Sequence, residues 1–328
     1  MKPLILNPPI KDYIWGGTKL REQFGKKSDL ERLAESWELS CHKDGMSIIA
    51  NGEYSGRSLK DFLNENPSAL GTKCSKFDDF PILIKLIDAR DNLSVQVHPD
   101  NEYAMRIEGE YGKTEMWYIV DCEENASLIY GFKEQISKDD FQKAIEENTL
   151  LDKVNSVPVK KGDVFFIEAG TLHAIGKGIL IAEIQQNSNT TYRVYDYGRV
   201  GNDGKPRELH VEKALDVTKL APADSYNKPI TENLNGWSRT QLAKCEYFTV
   251  YNGNIETSAD LNADDNSFNH ILVLDGAAVI EAQNEKIDIH KGDSIFIPAG
   301  LGEYKICGKC SIICLLYTSP SPRDGLLS

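Results

Sequence analysis

Three things are scarce in this sequence, and each scarcity excludes a class of protein. Seven cysteines, an odd number, are too few for a disulfide-built scaffold of 328 residues. No apolar stretch approaches the ~18 residues of a membrane-spanning helix, and the apolar run before Asn7 is too short for a signal peptide. Basic side chains number 37 against 50 acidic ones, a net charge of −13, which argues against nucleic-acid and anionic-membrane partners. We therefore expect a cytoplasmic protein.

The remaining composition is that of an ordinary globular protein. The chain is 41% hydrophobic, 27% charged and 9% aromatic, values that favour neither disorder nor a fibrous structure. At about 150 residues per domain, its length predicts one large domain or two moderate ones. A chain of this length buries a core of normal size without disulfides or structural metals.

Most segments have strand character, because short β-branched and aromatic runs alternate with turn residues. The clearest runs are 80–89, 93–98, 115–120, 164–170, 178–186, 270–276 and 294–300. One clear helix begins after Ser137, an N-cap with Asp140 in capping-box register, and a second covers 58–67 and ends at Pro67. Many short strands with few helices predict a mainly β protein, built as a sandwich or barrel.

An internal repeat indicates that the chain contains two related units. Residues 158–175 align with residues 288–306, and both segments read Lys-Gly-Asp, then an apolar strand, then an Ala-Gly turn. A boundary is predicted in the polar segment 218–237, rich in Pro and Asn. The predicted units are a catalytic domain (1–235) and a second domain (236–316). Residues 317–328, dominated by Ser, Pro and Gly, are predicted to be a disordered or non-native tail.

One strand carries polar side chains suited to binding a metal. In 93–98, alternation places Ser94, Gln96 and His98 on one face. Glu115, which opens the next strand, and His173, which follows the first Ala-Gly turn, offer a carboxylate and a second imidazole. Two His, one Glu and one Gln suit a borderline divalent ion such as zinc. Taken singly, each residue is equally explained as a hydrogen-bonded polar residue of the interior.

The spacing around these residues resembles known sequence motifs. The pattern from Gly162 through Glu168 and Gly170 to His173 and Gly176 resembles the second cupin motif, with Glu168 in place of the usual proline. Gln96-x-His98 resembles the first motif, with Gln in place of its leading His. Together with flanking segments, the chain resembles the type I phosphomannose isomerases in their short bacterial form. The resembling segments are 12–20, 33–40, 81–89, 93–104, 112–120, 169–176 and 182–199.

The resemblance implies a fold, a cofactor and an activity. The fold would be two cupin-type jelly-roll β-barrels with a few short helices. One Zn²⁺ per chain would be bound by Gln96, His98, Glu115 and His173. The reaction would be the interconversion of mannose 6-phosphate and fructose 6-phosphate through an enediol. The family's essential arginine corresponds to Arg193, and further pocket residues correspond to Glu35, Lys85, Lys113 and Glu183.

The charged pocket residues also stand out in the sequence itself. Lys85 has three apolar neighbours on each side, so it either extends to solvent from a strand end or faces a polar site. Glu183 is a lone acid in an apolar strand, which favours an interior functional group. Arg193 lies among aromatic residues, so it is either a stacked structural arginine or a ligand for phosphate or an enediolate. Glu183 and Lys113 are both candidates for the acid/base.

The second unit lacks the ligand pattern. Glu303 occupies the position of His173, and no Gln-x-His precedes it, so we predict a structural unit without a metal. Cys307 and Cys310 have CxxC spacing, but a structural zinc would need a second pair. We therefore expect Gly308 and Lys309 to form a hairpin turn between two inert cysteines.

Two other functions remain open. A two-His-one-carboxylate set also suits a cupin dioxygenase with Fe(II), although Gln96 would fill a position that oxygen needs. A non-catalytic sugar-binding cupin is the second alternative. The partner expected in either isomerase or binder is a small phosphosugar, and the chain is expected to be a monomer or a homodimer.

Overall fold

The computed structural model describes residues 1–74, 77, 79–201, 204–224 and 229–316, and the predicted tail at 317–328 lies outside them. Strands account for 44% and helices for 16%, so the prediction of a mainly β protein with few helices is confirmed. The α-helices are α1 (Lys19–Phe24), α2 (Leu59–Glu65), α3 (Asn101–Ile107), α4 (Lys138–Glu146) and α5 (Val211–Val217). Short 3₁₀ turns cover Gly52–Tyr54, Pro67–Leu70, Thr72–Cys74 and Leu150–Asp152.

Both predicted helices form. The Ser137 hydroxyl accepts a hydrogen bond from the backbone N–H of Asp140 at 3.0 Å, which satisfies one of the free donors at the start of α4. Ser58 caps α2 in the same way, through the N–H of Asp61. No helix of the described residues is long and apolar enough to cross a membrane.

The strands of the first two-thirds are β1 (Leu4–Asn7), β2 (Ile10–Lys11), β3 (Glu35–Leu39), β4 (Cys41–His42), β5 (Gly45–Met46), β6 (Ile48–Ile49), β7 (Ile82–Ala89), β8 (Val95–Val97), β9 (Glu115–Cys122), β10 (Ser127–Phe132), β11 (Val154–Pro158), β12 (Val164–Ile167), β13 (His173–Ala174), β14 (Ile179–Gln186) and β15 (Tyr192–Tyr195). The remaining strands are β16 (Ile230–Leu234), β17 (Trp237–Lys244), β18 (Thr249–Ile255), β19 (Ser258–Ala263), β20 (Asn269–Ala282), β21 (Glu285–His290), β22 (Ser294–Ile297) and β23 (Gly302–Leu316).

These strands form three large sheets and one small ribbon. A five-stranded sheet has the order β11-β10-β13-β8-β15, and a six-stranded sheet has the order β12-β9-β14-β7-β3-β2. A ten-stranded sheet follows the path β16-β17-β18-β23-β20-β22-β1-β6, with β19 beside β23 and β21 beside β20; β4 and β5 form the ribbon. No closed barrel is found among the described strands, so the two-barrel arrangement stays a prediction.

The six-stranded sheet has a hydrophobic core on each of its two faces, and the alternation of side chains along its strands decides which face each polar residue lies on. In β7, the side chains of Ile82, Ile84 and Leu86 pack on one face, against the ten-stranded sheet. Ile87 and Ala89 pack on the opposite face, toward the five-stranded sheet. Because side chains alternate along a strand, odd-numbered residues of β7 face the five-stranded sheet. The same parity holds in β9 and β14.

The two repeated segments have the same local structure. Gly162 and Gly292 have φ angles of 91° and 93°, which glycine adopts readily. In each turn the following aspartate accepts a hydrogen bond from the backbone N–H three residues earlier, at 2.9 Å for Asp163 and 2.7 Å for Asp293. A four-residue strand then follows in each, β12 or β22. The domain boundary itself stays a prediction.

The predicted hairpin between Cys307 and Cys310 is wrong. Both cysteines and the intervening Gly308 lie inside β23, which runs unbroken while its partner changes from β19 to β18. A Cβ on Gly308 would lie 2.7 Å from the carbonyl oxygen of Ala277, so the close approach to β20 requires glycine there. Cys310 is buried in the core of the ten-stranded sheet.

Candidate active site

Strand pairing brings the predicted ligands together between the five- and six-stranded sheets. In the five-stranded sheet, Gln96 of β8 is paired with His173 on one side and Arg193 on the other. In the six-stranded sheet, Glu183 of β14 is paired with Lys85 of β7. The site residues of β7, β9 and β14 are Lys85, Glu115 and Glu183, which have odd numbers and so face the five-stranded sheet.

His98, Glu115 and His173 form a buried cluster whose ligand atoms all lie within 4.8 Å of one another. The Nε2 atoms of the two histidines are 3.1 Å apart. Oε1 of Glu115 lies 3.4 Å from Nε2 of His173, and Oε2 lies 3.7 Å from Nε2 of His98. This is the one such cluster of His, Cys, Asp and Glu among the described residues.

Backbone carbonyls orient both imidazoles. Nδ1 of His98 lies 2.8 Å from the carbonyl oxygen of Thr190, and Nδ1 of His173 lies 2.8 Å from that of Thr171. A hydrogen on each Nδ1 leaves the Nε2 lone pair directed at the cluster, the arrangement usual for metal-binding histidines. Burial lowers the pKa of His173 to about 4, and burial with the charge of Lys113 holds the pKa of His98 well below its usual range. Both rings are therefore neutral at pH 7, as a ligand requires.

The buried Glu115 carboxylate lacks the hydrogen bonds that normally stabilise a buried anion. Neither of its oxygens has a hydrogen-bond partner of normal geometry among the described residues, although Nζ of Lys113 lies 2.9 Å from Oε2. Burial, together with the charge of Glu183, raises the pKa of Glu115 to about 8. A divalent cation would stabilise this carboxylate, so the donor set fits a borderline ion such as zinc.

Gln96 lies at the cluster, with its amide nitrogen 3.4 Å from Nε2 of His173. An amide binds a metal through its oxygen, so coordination by Gln96 needs the opposite orientation of the amide group. Amide nitrogen and oxygen exchange places by a rotation of the side-chain amide. The Gln96 oxygen otherwise faces the Ser94 hydroxyl at 3.5 Å.

Two lysines and two further carboxylates, Glu35 and Glu183, surround the cluster. Nζ of Lys113 lies 3.1 Å from Nε2 of His98 and 3.6 Å from Glu183. Nζ of Lys85 lies 3.6 Å from Glu35 and 3.9 Å from Glu183. Burial by itself would raise the pKa of Glu183, but the two ammonium groups outweigh it and lower that pKa. Lys85 is 3% exposed, so it faces the polar interior rather than solvent.

A cavity of about 290 Å³ opens above this network. Of the predicted site residues, His98, Glu115 and His173 do not line it, whereas the other six do, together with several that the sequence did not single out. Its lining comprises Tyr13, Trp15, Glu35, Lys85, Ile87, Leu93, Ser94, Gln96, Lys113, Trp117, Ile175, Glu183, Asn189, Thr191, Arg193 and Arg207.

Two residues missed by sequence reasoning belong to this site: Trp37, which lies behind Glu35 and Lys85, and Arg207, which lines the cavity. The indole nitrogen of Trp37 donates a hydrogen bond to Glu35 at 2.7 Å, and Nζ of Lys85 lies 5.2 Å from the centre of the Trp37 ring. Trp37 is two residues from Glu35 on a strand, so alternation could have identified it. Arg207 reaches the cavity from the loop before α5, where nothing in the local sequence pattern identifies it.

Comparison with known proteins agrees with this geometry. The family profile for the phosphomannose isomerase type I catalytic domain matches residues 4–148, and that for the mannose-6-phosphate isomerase cupin domain matches 238–316. The chain is 39% identical to the mannose-6-phosphate isomerase of Streptococcus mutans, over 95% of this chain and 97% of that protein. It is also 39% identical to the mannose-6-phosphate isomerase ManA of Bacillus subtilis, over 95% and 98%.

The chain belongs to the type I phosphomannose isomerase family. The crystal structure of the Bacillus subtilis mannose 6-phosphate isomerase superposes on the present chain with a TM-score of 0.91. The two sequences are 38% identical, and the match covers 96% of the present chain and 99% of the Bacillus subtilis chain. Type I phosphomannose isomerases are aldose–ketose isomerases, so the predicted enzyme class is confirmed. The roles of individual residues stay predictions.

Proposed function

We propose that this isomerase interconverts mannose 6-phosphate and fructose 6-phosphate with one Zn²⁺ bound by Gln96, His98, Glu115 and His173. The observation that supports it best is the convergence of two imidazole Nε2 atoms on a buried carboxylate beneath a polar cavity, a carboxylate that accepts no hydrogen bond from the residues the structure describes. A bound zinc would act as a Lewis acid on the two oxygens that change during the reaction.

The protein's own residues supply the proton transfer. A base removes the proton from C2 of the open-chain aldose, the C1 oxygen gains a proton, and an enediol forms. Loss of the O2 proton and return of a proton to C1 complete the ketose. Glu183 and Lys113 are the candidate acid/base groups, because both border the cavity and lie 3.6 Å apart. Arg193 supplies a fixed positive charge at the same cavity.

The chain architecture is part of the proposal. Residues 1–235 and 236–316 would be two cupin-type units, each of barrel type, related by the repeated turn and strand. The matching φ angles of Gly162 and Gly292 and the family profile over 238–316 support this division. A cytoplasmic location and a monomeric or dimeric state stay predictions.

One experiment tests the reaction and the metal together. Protein purified without added metal is analysed for its metal content and then incubated with mannose 6-phosphate in deuterated water. We expect about one zinc per chain and deuterium at C1 of the fructose 6-phosphate formed, because a proton held by the base exchanges with solvent. Iron instead of zinc, with no turnover, would favour the dioxygenase alternative. Zinc with no turnover of any phosphosugar would leave a sugar-binding protein.

A further inference from the structure

The deep part of the cavity is a poor place for a phosphate group. Its two ammonium groups, Lys85 and Lys113, are both ion-paired with carboxylates. Glu35 and Glu183 balance the charges of the two lysines, and Glu115 would balance part of the charge of the proposed metal. A phosphate dianion placed at the lysines would therefore lie close to the Glu35 and Glu183 carboxylates and be repelled by them, although these lysines are the cations nearest the predicted metal ligands.

Positive charge not matched by carboxylate lies instead at another edge of the cavity. The Arg193 guanidinium donates to the Ser94 hydroxyl at 3.3 Å and to the carbonyl oxygen of Glu208 at 2.9 Å. Within the described ranges, no carboxylate lies within ion-pair distance of it. Arg207 lines the same cavity. The two arginines interact electrostatically. Burial lowers the pKa of Arg193, and the positive charge of Arg207 lowers that pKa further.

Asp196 fixes the position of Arg207. Its carboxylate accepts hydrogen bonds from Nε of Arg207 at 2.7 Å and from one terminal nitrogen, a two-point contact that restrains the planar guanidinium. Arg199 pairs with the same carboxylate but lines a different cavity. The single negative charge of Asp196 thus balances only one of the two positive charges of Arg199 and Arg207. The other terminal nitrogen of Arg207 makes no hydrogen bond to any residue that the structure describes.

The backbone separation between Arg193 and the metal ligand His173 is similar to the length of a hexose phosphate. His173, Gln96 and Arg193 lie directly opposite one another on three adjacent strands. At about 4.8 Å per strand, the backbone of Arg193 is about 10 Å from that of His173. An extended open-chain sugar spans seven bonds from C1 to phosphorus, on the order of 9 Å at about 1.2–1.3 Å of advance per bond along a zigzag chain.

We propose that Arg207, held by Asp196, binds the phosphate group of the substrate together with Arg193, and that Asp196 is a positioning residue. This proposal rests on the proposed function, because it places C1 and C2 of the sugar at the metal ligands. It assigns the two lysines to the reacting end and the two arginines to the phosphate end.

Steady-state kinetics of Arg207→Gln, Arg207→Lys and Asp196→Asn test the proposal. We expect Arg207→Gln to raise KM for mannose 6-phosphate at least tenfold and to weaken inhibition by inorganic phosphate to a similar extent, with kcat changed less than about threefold. Arg207→Lys retains the charge without the two-point contact, so its KM should lie between those of the wild type and Arg207→Gln. Asp196→Asn should also raise KM with kcat maintained. Arg239→Gln, an exposed arginine paired with Glu232, is the matched control and should behave as the wild type.

The outcomes separate this proposal from the proposed function. Unchanged KM and unchanged phosphate inhibition in Arg207→Gln, in a protein that isomerises the substrate, overturn the proposal and leave the function standing. A fall in kcat at constant KM also overturns it, because Arg207 would then act on the transition state. If the wild type does not isomerise the substrate, calorimetric titration with mannose 6-phosphate decides. Binding that is lost in Arg207→Gln and retained in Arg239→Gln supports the phosphate site alone, and equal binding in both overturns it.

Discussion

The Nε2 atoms of His98 and His173 lie 3.1 Å apart, and each ring is fixed by a carbonyl oxygen at its Nδ1 atom. Two neutral imidazoles this close, with no hydrogen that both can share, are stabilised when a cation lies between them and Glu115. The first prediction follows from this arrangement.

Replacing either histidine should remove the metal. We expect His98→Ala or His173→Ala to lower bound zinc from about one per chain to near none and to abolish turnover, because the remaining donors hold the ion poorly. Metal analysis and a turnover assay measure both effects. The control is His290→Ala, at an exposed histidine of β21 in the ten-stranded sheet, which contributes nothing to the cluster. Full activity in a zinc-free His98→Ala protein would exclude the metal from the reaction.

Glu183 should affect catalysis without affecting metal content. Glu183→Gln retains the shape of the side chain but cannot accept the C2 proton, so we expect kcat to fall by roughly 10²–10⁴. Glu168→Gln, an exposed acid paired with Lys219, should have normal kinetics. Equal loss of zinc and activity in Glu183→Gln would instead indicate that this residue supports the metal site.

The ion pair of Lys26 and Glu38 should be important for stability. Nζ of Lys26 lies 2.7 Å from the Glu38 carboxylate and 2.6 Å from the carbonyl oxygen of Gly292, and both side chains are buried. Lys26→Met leaves the carboxylate unpaired, so we expect a loss of about 3–5 kcal/mol in urea unfolding. Adding Glu38→Leu should recover most of it. Lys2→Met, which breaks the exposed pair with Glu285, should cost about 1 kcal/mol or less.

Asp196 should contribute an acid-sensitive part of the stability. Burial would raise its pKa, but hydrogen bonds from Arg207 and Arg199 outweigh burial and lower that pKa below the ordinary 3.8. A carboxylate whose pKa is lowered on folding stabilises the protein above its unfolded pKa, and this contribution is lost as pH falls through the folded pKa. The difference in unfolding free energy between the wild type and Asp196→Asn should therefore be largest near pH 7 and shrink below about pH 4. A difference independent of pH between 3 and 7 would contradict this.

The cysteines of β23 should be dispensable for chemistry. Cys307→Ser with Cys310→Ser should leave kcat within about threefold of the wild type, because both residues lie in the ten-stranded sheet, away from the cluster. Burial of Cys310 predicts a lower unfolding temperature, since the serine hydroxyl is harder to bury. Loss of metal from a folded double variant would show that the CxxC spacing does bind an ion.

Sequence reasoning reached the parts of the site that depend on local periodicity. Alternation along strands placed Gln96 and His98 on one face, and an isolated charge among apolar residues favoured Glu183 as an interior group. For Lys85 the same argument left two alternatives, and its burial supports the polar site. Contacts that depend on how the sheets pack and pair could not be predicted from the sequence. Arg207 is positioned by Asp196 through a loop, and the ion pairs of Lys85 depend on the register of β3, β7 and β14. The hairpin at Gly308 was wrong because a glycine that permits close strand approach and one that turns the chain look the same in sequence.

The position of β1 has a consequence for how the chain folds. Leu4 and Leu6 pair with Phe296 and Ser294 of β22, at opposite ends of the sequence. During synthesis, β1 is made long before β22. The backbone donors and acceptors of β1 on the side that faces β22 therefore stay unpaired until β22 has been synthesised. Contacts of such long sequence separation form slowly. Closure of β1 onto β22 is thus expected among the last steps of folding, and removal of either end of the described chain should prevent completion of the ten-stranded sheet.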